Sequence, residues 1–226
     1  EDFDELIEEL IQAGAKNWAI KLCIDKLQCI TKSVSHRQGR EYAVIIHNLC
    51  ELKQLPMAEE VLEIALKDDF SKNVSEFKCY EWLGIAASSK EQLNNKTLGL
   101  EIFKKAENSA DQTLIDGTRT QEGSFTDFNS LAASIADEDF LGDKNYAKKV
   151  YQKAENLAES FKDFLGLGQS YGFSLGDKNL ARKAFEKAEK LAKRSSDKKW
   201  LAESVAKKAY LGDPVWEKQL LEKKKK

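Results

Sequence analysis

Phe164-Leu165-Gly166-Leu167-Gly168-Gln169-Ser170-Tyr171, followed shortly by Leu175-Gly176-Asp177-Lys178-Asn179-Leu180-Ala181-Arg182-Lys183-Ala184-Phe185, reads as two helices joined by a tight turn. In the first, Phe164, Leu167, Gly168 and Tyr171 recur at the i, i+3, i+4, i+7 spacing of one helical face. In the second, Ala181, Phe185, Ala188 and Leu191 or Ala192 form the facing stripe, with small residues where the helices approach and one ring filling the gap. Gly176 suits the left-handed conformation that closes a helix, and Asp177 can cap the next helix by accepting its free amide protons. The stretch predicts an antiparallel hairpin.

The same pattern extends outward along the chain. The phrase Phe185-Glu186-Lys187-Ala188-Glu189-Lys190 returns as Phe103-Lys104-Lys105-Ala106-Glu107-Asn108 and as Tyr151-Gln152-Lys153-Ala154-Glu155-Asn156. Gly142-Asp143 and Gly212-Asp213 repeat the turn, while Pro56 and Pro214 suit first helical turns. Working back from each phrase, the preceding helix begins with a large aromatic: Phe3, Tyr42, Trp82, Phe128, Phe164 and Trp200, at intervals of 39, 40, 46, 36 and 36 residues. Self-similarity at such a period is the signature of stacked helical hairpins, each burying the face its neighbour cannot cover alone.

Six approximate repeats follow, 1–35, 36–72, 73–109, 125–160, 161–195 and 196–226, forming one all-α solenoid. Between them, 110–124 combines polar turn formers with Gly117 and Gly123 and predicts a loop insertion. In this register Trp82 and Trp200 belong to the core. Trp18 and Trp216, in the second helices of the end repeats, read as capping aromatics.

Composition agrees with an all-α chain. Of 226 residues 42% are hydrophobic and 33% charged, and two prolines with twelve glycines leave little material for a turn-rich β protein. A net charge of −2 lacks the footprint of phosphate binding, and the fixed repeat positions are aromatic or alanine rather than base-reading polar groups, which argues against RNA. The acidic start (Glu1, Asp2, Asp4, Glu5, Glu8, Glu9) and the end Lys223-Lys224-Lys225-Lys226 read as solvated helix ends. No apolar run has membrane-spanning length.

Cys23, Cys29, Cys50 and Cys79 match neither a zinc nor a C-x-x-C spacing and read as buried reduced thiols of a cytoplasmic protein. His36, His47 and Cys50 could be imagined as metal ligands, but only His47 and Cys50 share a helical face, and two ligands make a weak signal. Asp137-Glu138-Asp139, with Asp111 and Asp116, lacks the ligand spacing of an EF-hand. No nucleophile, base and orienting partner are arranged for catalysis.

On these residues the chain resembles the tetratricopeptide repeat superfamily with its Sel1-like relatives. Phe164, Leu167, Gly168, Tyr171, Gly176, Ala181, Phe185 and Ala188 follow the family order, and Tyr42, Ala58, Leu62 and Ala65 follow it in the second repeat. The resemblance implies a right-handed superhelix whose first helices line a concave groove for a peptide or helix. Carried over by register, it gives Glu8, His47, Lys90, Asn129, Gln169 and Lys208 as groove candidates. Ala133 and Val205 at inward positions speak against the family's carboxylate clamp for chaperone tails. The implied function is non-catalytic recognition of a partner protein or peptide, with no cofactor, metal or small-molecule substrate. The alternatives are a toxin-neutralising immunity-type protein and the regulatory repeat domain of a larger enzyme.

Overall fold

The computed structural model describes residues 3–31, 38–68, 70, 76–115 and 121–222, with backbone alone at 112–115 and 121–124. Among them are twelve α-helices and no strand: α1 (Phe3–Gln12), α2 (Lys16–Ile30), α3 (Gln38–Glu51), α4 (Leu55–Lys67), α5 (Glu76–Ser88), α6 (Lys96–Ile115), α7 (Gln121–Ala136), α8 (Lys144–Leu157), α9 (Phe161–Phe173), α10 (Lys178–Leu191), α11 (Ser195–Ala206) and α12 (Pro214–Glu222). The all-α class is therefore as the sequence predicts.

The chain divides into two compact units, Glu1–Gln112 with Glu138–Gly142 and Thr113–Asp137 with Asp143–Lys226. In the first, α1 packs on α2 and α3, α2 on α3, and α3 on α4 and α5. Gly84 of α5 lies against the Phe103 ring of α6. In the second, α7 packs on α8 and α9, α9 on α10 and α11, and α11 on α12.

All six hairpin turns close by one device. A left-handed residue comes first, Gly14, Lys53, Asn94, Gly142, Gly176 or Gly212, with φ between 51° and 74°. The next residue sends its amide back to a carbonyl near the end of the preceding helix. Ala15 donates to Leu10 at 2.8 Å, Gln54 to Leu49 at 2.8 Å, Asn95 to Ala87 at 2.7 Å, Asp143 to Ile135 at 3.0 Å, Asp177 to Tyr171 at 2.9 Å and Asp213 to Val205 at 2.9 Å. Asp143, Asp177 and Asp213 then accept from the amides of Tyr146, Leu180 and Trp216 at 2.9–3.0 Å, the capping that the Gly-Asp pairs predict. Asn94-Asn95 does both jobs in the third hairpin, since asparagine tolerates the left-handed region and Asn95 accepts from Leu98 at 3.0 Å.

These caps make the second unit acid-sensitive. The Trp216 amide and then Arg182, whose Nη2 lies 2.6 Å from Asp213 Oδ2, hold the Asp213 carboxyl below its ordinary 3.8. The Leu180 amide, against a small burial penalty, and then Lys148 do the same for Asp177. Burial would raise Glu155, but hydrogen bonds from Lys187 and Tyr171 and the charges of Lys187 and Lys183 outweigh it and lower the carboxyl. A carboxyl depressed in the folded state stabilises above its unfolded pKa, and that gain is lost as pH falls through the folded value. Melting of the second unit should therefore hold above the ordinary carboxylate range and fall as the pH drops below it. Asp213→Asn should flatten that slope in a calorimetric pH series; an unchanged slope would remove Asp213 from the account.

The predicted stripes are buried. Leu167, Ala181, Phe185 and Ala188 are fully covered, and Tyr171 donates to Glu155 Oε2 at 2.9 Å while its ring meets Tyr151 edge-on at 5.3 Å. In the first unit Tyr42, equally buried, donates its hydroxyl to Asp68, which also accepts from Gln38 Nε2 at 3.0 Å.

Several expectations are corrected. Trp82 and Trp200 are 40% and 46% exposed and do not belong to the core. The register is set by a leucine followed by a small residue, Leu83-Gly84, Leu131-Ala132, Leu167-Gly168 and Leu201-Ala202, all buried. Counting back three from each leucine gives Tyr80, Phe128, Phe164 and Lys198, so each tryptophan stands two residues past the aromatic position and points off the buried face. The loop expected over 110–124 is helical at both ends, since α6 runs to Ile115 and α7 begins at Gln121. Ala110 is buried, and no glycine or proline lies between it and Gly117, so polar composition alone does not end α6.

Trp216 is buried, its Nε1 donating to Glu189 Oε2 of α10 at 3.2 Å, whereas Trp18 stays 66% exposed. All four cysteines are unpaired; Cys23 and Cys79 are buried, Cys50 partly so, and Cys29 is exposed. Burial, aided by Asp4 at Cys23 and by Glu51 and Glu59 at Cys50, pushes both thiols up to about 11. His36, Asp116 and Lys223–Lys226 lie outside the described residues.

Candidate functional site: a cleft on α1, α3 and α5

A cleft of about 200 Å³ opens in the first unit, lined by Asp4, Arg40, Ala43, Val44, His47, Trp82, Ile85, Ala86 and Gln92. Eight of these nine come from α1, α3 and α5, the first helices of three successive hairpins, and Gln92 comes from the turn after α5. The helical period explains the set. Arg40, Ala43, Val44 and His47 are spaced by three, one and three residues, which places them along one face of α3. The buried residues Tyr42, Ile45, Ile46 and Leu49 occupy the face turned to the core.

Trp82 forms an exposed wall of the cleft, and the Arg40 guanidinium sits 5.9 Å from the centre of its ring. A cation over an indole face is attracted by the ring's quadrupole, weakly at an exposed site such as this one. Across the lining, Asp4 Oδ1 accepts from Asn48 Nδ2 at 3.1 Å, which ties α1 to α3. Gln92 contributes an unmet demand: its Oε1 is shielded from solvent and accepts no hydrogen bond among the described residues. A buried acceptor left without a donor costs stability unless a bound group supplies one. The cleft thus offers an apolar floor, an aromatic wall, one anion and one cation.

Of the six groove candidates only His47 lines this cleft. Glu8 is on α1, exposed and outside the lining. Lys90 sits in the turn after α5, where its amide donates to the Asp139 carbonyl at 3.0 Å and its Nζ lies 3.3 Å from Asp139 Oδ1. The other three belong to the second unit. Gln169 on α9 donates to Ser204 Oγ of α11 at 2.9 Å, so its amide is spent between helices. Asn129 on α7 has a buried Oδ1 without a donor, and Lys208 is exposed in the turn after α11, its carbonyl accepting from Lys178 Nζ at 3.4 Å.

Asp4, Arg40, Val44, Trp82, Ile85 and Gln92 were missed as groove residues. The available signal was the Leu83-Gly84 pair, which places Trp82 beside the buried stripe rather than in it. Among the described residues no three His, Cys, Asp or Glu side chains converge as metal ligands, and no helix is long and apolar enough to cross a membrane.

The chain matches no family model, no curated protein and no solved structure. Its functional reading rests on the cleft.

Proposed function

We propose that this chain is a non-catalytic binding protein that receives a segment of a partner protein on the first-helix face of a hairpin array. The array is read as a right-handed solenoid of six tetratricopeptide-like repeats acting in the cytoplasm. The observation that carries the binding reading is the cleft itself: three successive first helices contribute an exposed tryptophan, a stacked arginine and an apolar floor to one concavity. Preformed helices limit the entropy lost on binding, and a half-exposed tryptophan in the wall of such a surface is the residue type that dominates binding energy.

The test is affinity capture from native extract with wild type and Trp82→Ala in parallel. Because Trp82 is 40% exposed and outside the core, the substitution should cost about 1–3 kcal/mol of unfolding free energy and leave the fold intact by circular dichroism. It should weaken the captured partner's affinity at least tenfold, corresponding to about 1.4 kcal/mol or more. A partner bound equally well by the variant would place recognition elsewhere and overturn the cleft as the site.

A further inference from the structure

The net charge of −2 conceals a segregation. The unit that holds the cleft, Glu1–Gln112 with Glu138–Gly142, carries 22 Asp and Glu against 14 Lys and Arg, a balance of −8. The other unit carries 22 Lys and Arg against 16 Asp and Glu, a balance of +6. On α1, beside Asp4 of the lining, Glu5, Glu8 and Glu9 are all exposed. A field of that sign concentrates cationic segments near the cleft and raises their association rate.

Local chemistry agrees with the field. Asp4 places a carboxylate in the cleft lining. Arg40, whose guanidinium sits by the Trp82 ring, opposes a cationic ligand locally, but the unit's balance of −8 already includes its charge. Val44, Ile85, Ala43 and Ala86 offer no polar side-chain group, so the ligand needs aliphatic surface next to its charge.

Resting on the binding function proposed above, we infer that the occupant is a basic segment of a partner protein: a lysine or arginine pairs with the Asp4 carboxylate, and neighbouring aliphatic side chains cover Val44 and Ile85. The probe is a short fluorescein-labelled peptide of alternating lysine and leucine, with its glutamate and leucine counterpart, titrated by anisotropy into the full chain at low and high salt. The basic peptide should bind at least about tenfold tighter than the acidic one, and less tightly as salt rises. Asp4→Asn should weaken it several-fold, and Trp82→Ala should cost about tenfold or more.

Basic-peptide binding indifferent to Asp4→Asn is attraction to the acidic unit in general and overturns the assigned contact. Preference for the acidic peptide, lost in Trp82→Ala, leaves the cleft as a binding site but overturns the basic occupant. Binding of either peptide unaffected by Trp82→Ala overturns the cleft altogether. Sedimentation velocity supplies the remaining arm: a salt-sensitive dimer that disappears in Trp82→Ala makes a second copy of the chain the occupant and overturns the separate partner.

Discussion

Phe185→Ala is expected to lower the unfolding free energy of the second unit by about 3–5 kcal/mol, the range for removing a fully enclosed ring. Phe185 has no exposed surface, and its ring occupies the space that a side chain on Gly168 would need. A Cβ at position 168 would stand 2.3 Å from Cε1 and 2.4 Å from Cδ1 of that ring. Gly168→Ala alone should therefore cost about 1–3 kcal/mol, because the ring has to leave its place. Combined with Phe185→Ala the alanine meets no ring, so the double variant should lose less than the sum of the two. Urea unfolding followed by circular dichroism measures all three. Strict additivity, or a loss below about 1 kcal/mol for Phe185→Ala, would show that the pair does not lock α9 to α10.

A second large effect is expected at Gly172, four residues further along α9. There a Cβ would meet backbone: the carbonyl oxygen of Tyr210 at 2.2 Å and its Cα at 2.5 Å. A side chain can rotate away, but a turn whose amides are already committed cannot, so Gly172→Ala must push the turn between α11 and α12 off α9. The cost should reach about 3 kcal/mol, with Trp216 emission shifting to the red as that hairpin loosens. Gly166→Ala on the same helix is the control. Its Cβ would touch only Phe125 at 3.9 Å, an ordinary contact, and replacing a helical glycine there should gain about 0.5–1 kcal/mol. Equal behaviour of the two variants would mean that helix propensity, not the close approach, governs position 172.

What was legible in the sequence was what is local. Gly142-Asp143, Gly176-Asp177 and Gly212-Asp213 encode their turns within a few residues, and the structure closes those turns with the predicted capping bonds. The stripes of α9 and α10 were legible because leucine, glycine and alanine at helical spacing have one economical packing. Trp82 and Trp200 were misplaced because a large aromatic is a loose marker of register, whereas the leucine and small residue after it must both be buried. The extent of α6 was misjudged because polar residues without glycine or proline do not stop a helix. Most of the site was not legible at all. Asp4 and Gln92 are brought into one lining only by the packing of α1, α3 and α5, and Gln92 acquires its meaning from the absence of a donor, which no spacing encodes.

The thiols supply a practical handle. Alkylating reagents attack the thiolate, and burial keeps Cys23 and Cys50 protonated at neutral pH while Cys79 is also enclosed. Cys29, exposed on α2, is left as the favoured target of a maleimide. The native chain can therefore carry one dye or spin label on the unit that holds the cleft, without any cysteine being engineered in or out, and distances from that label to a bound segment can be read directly.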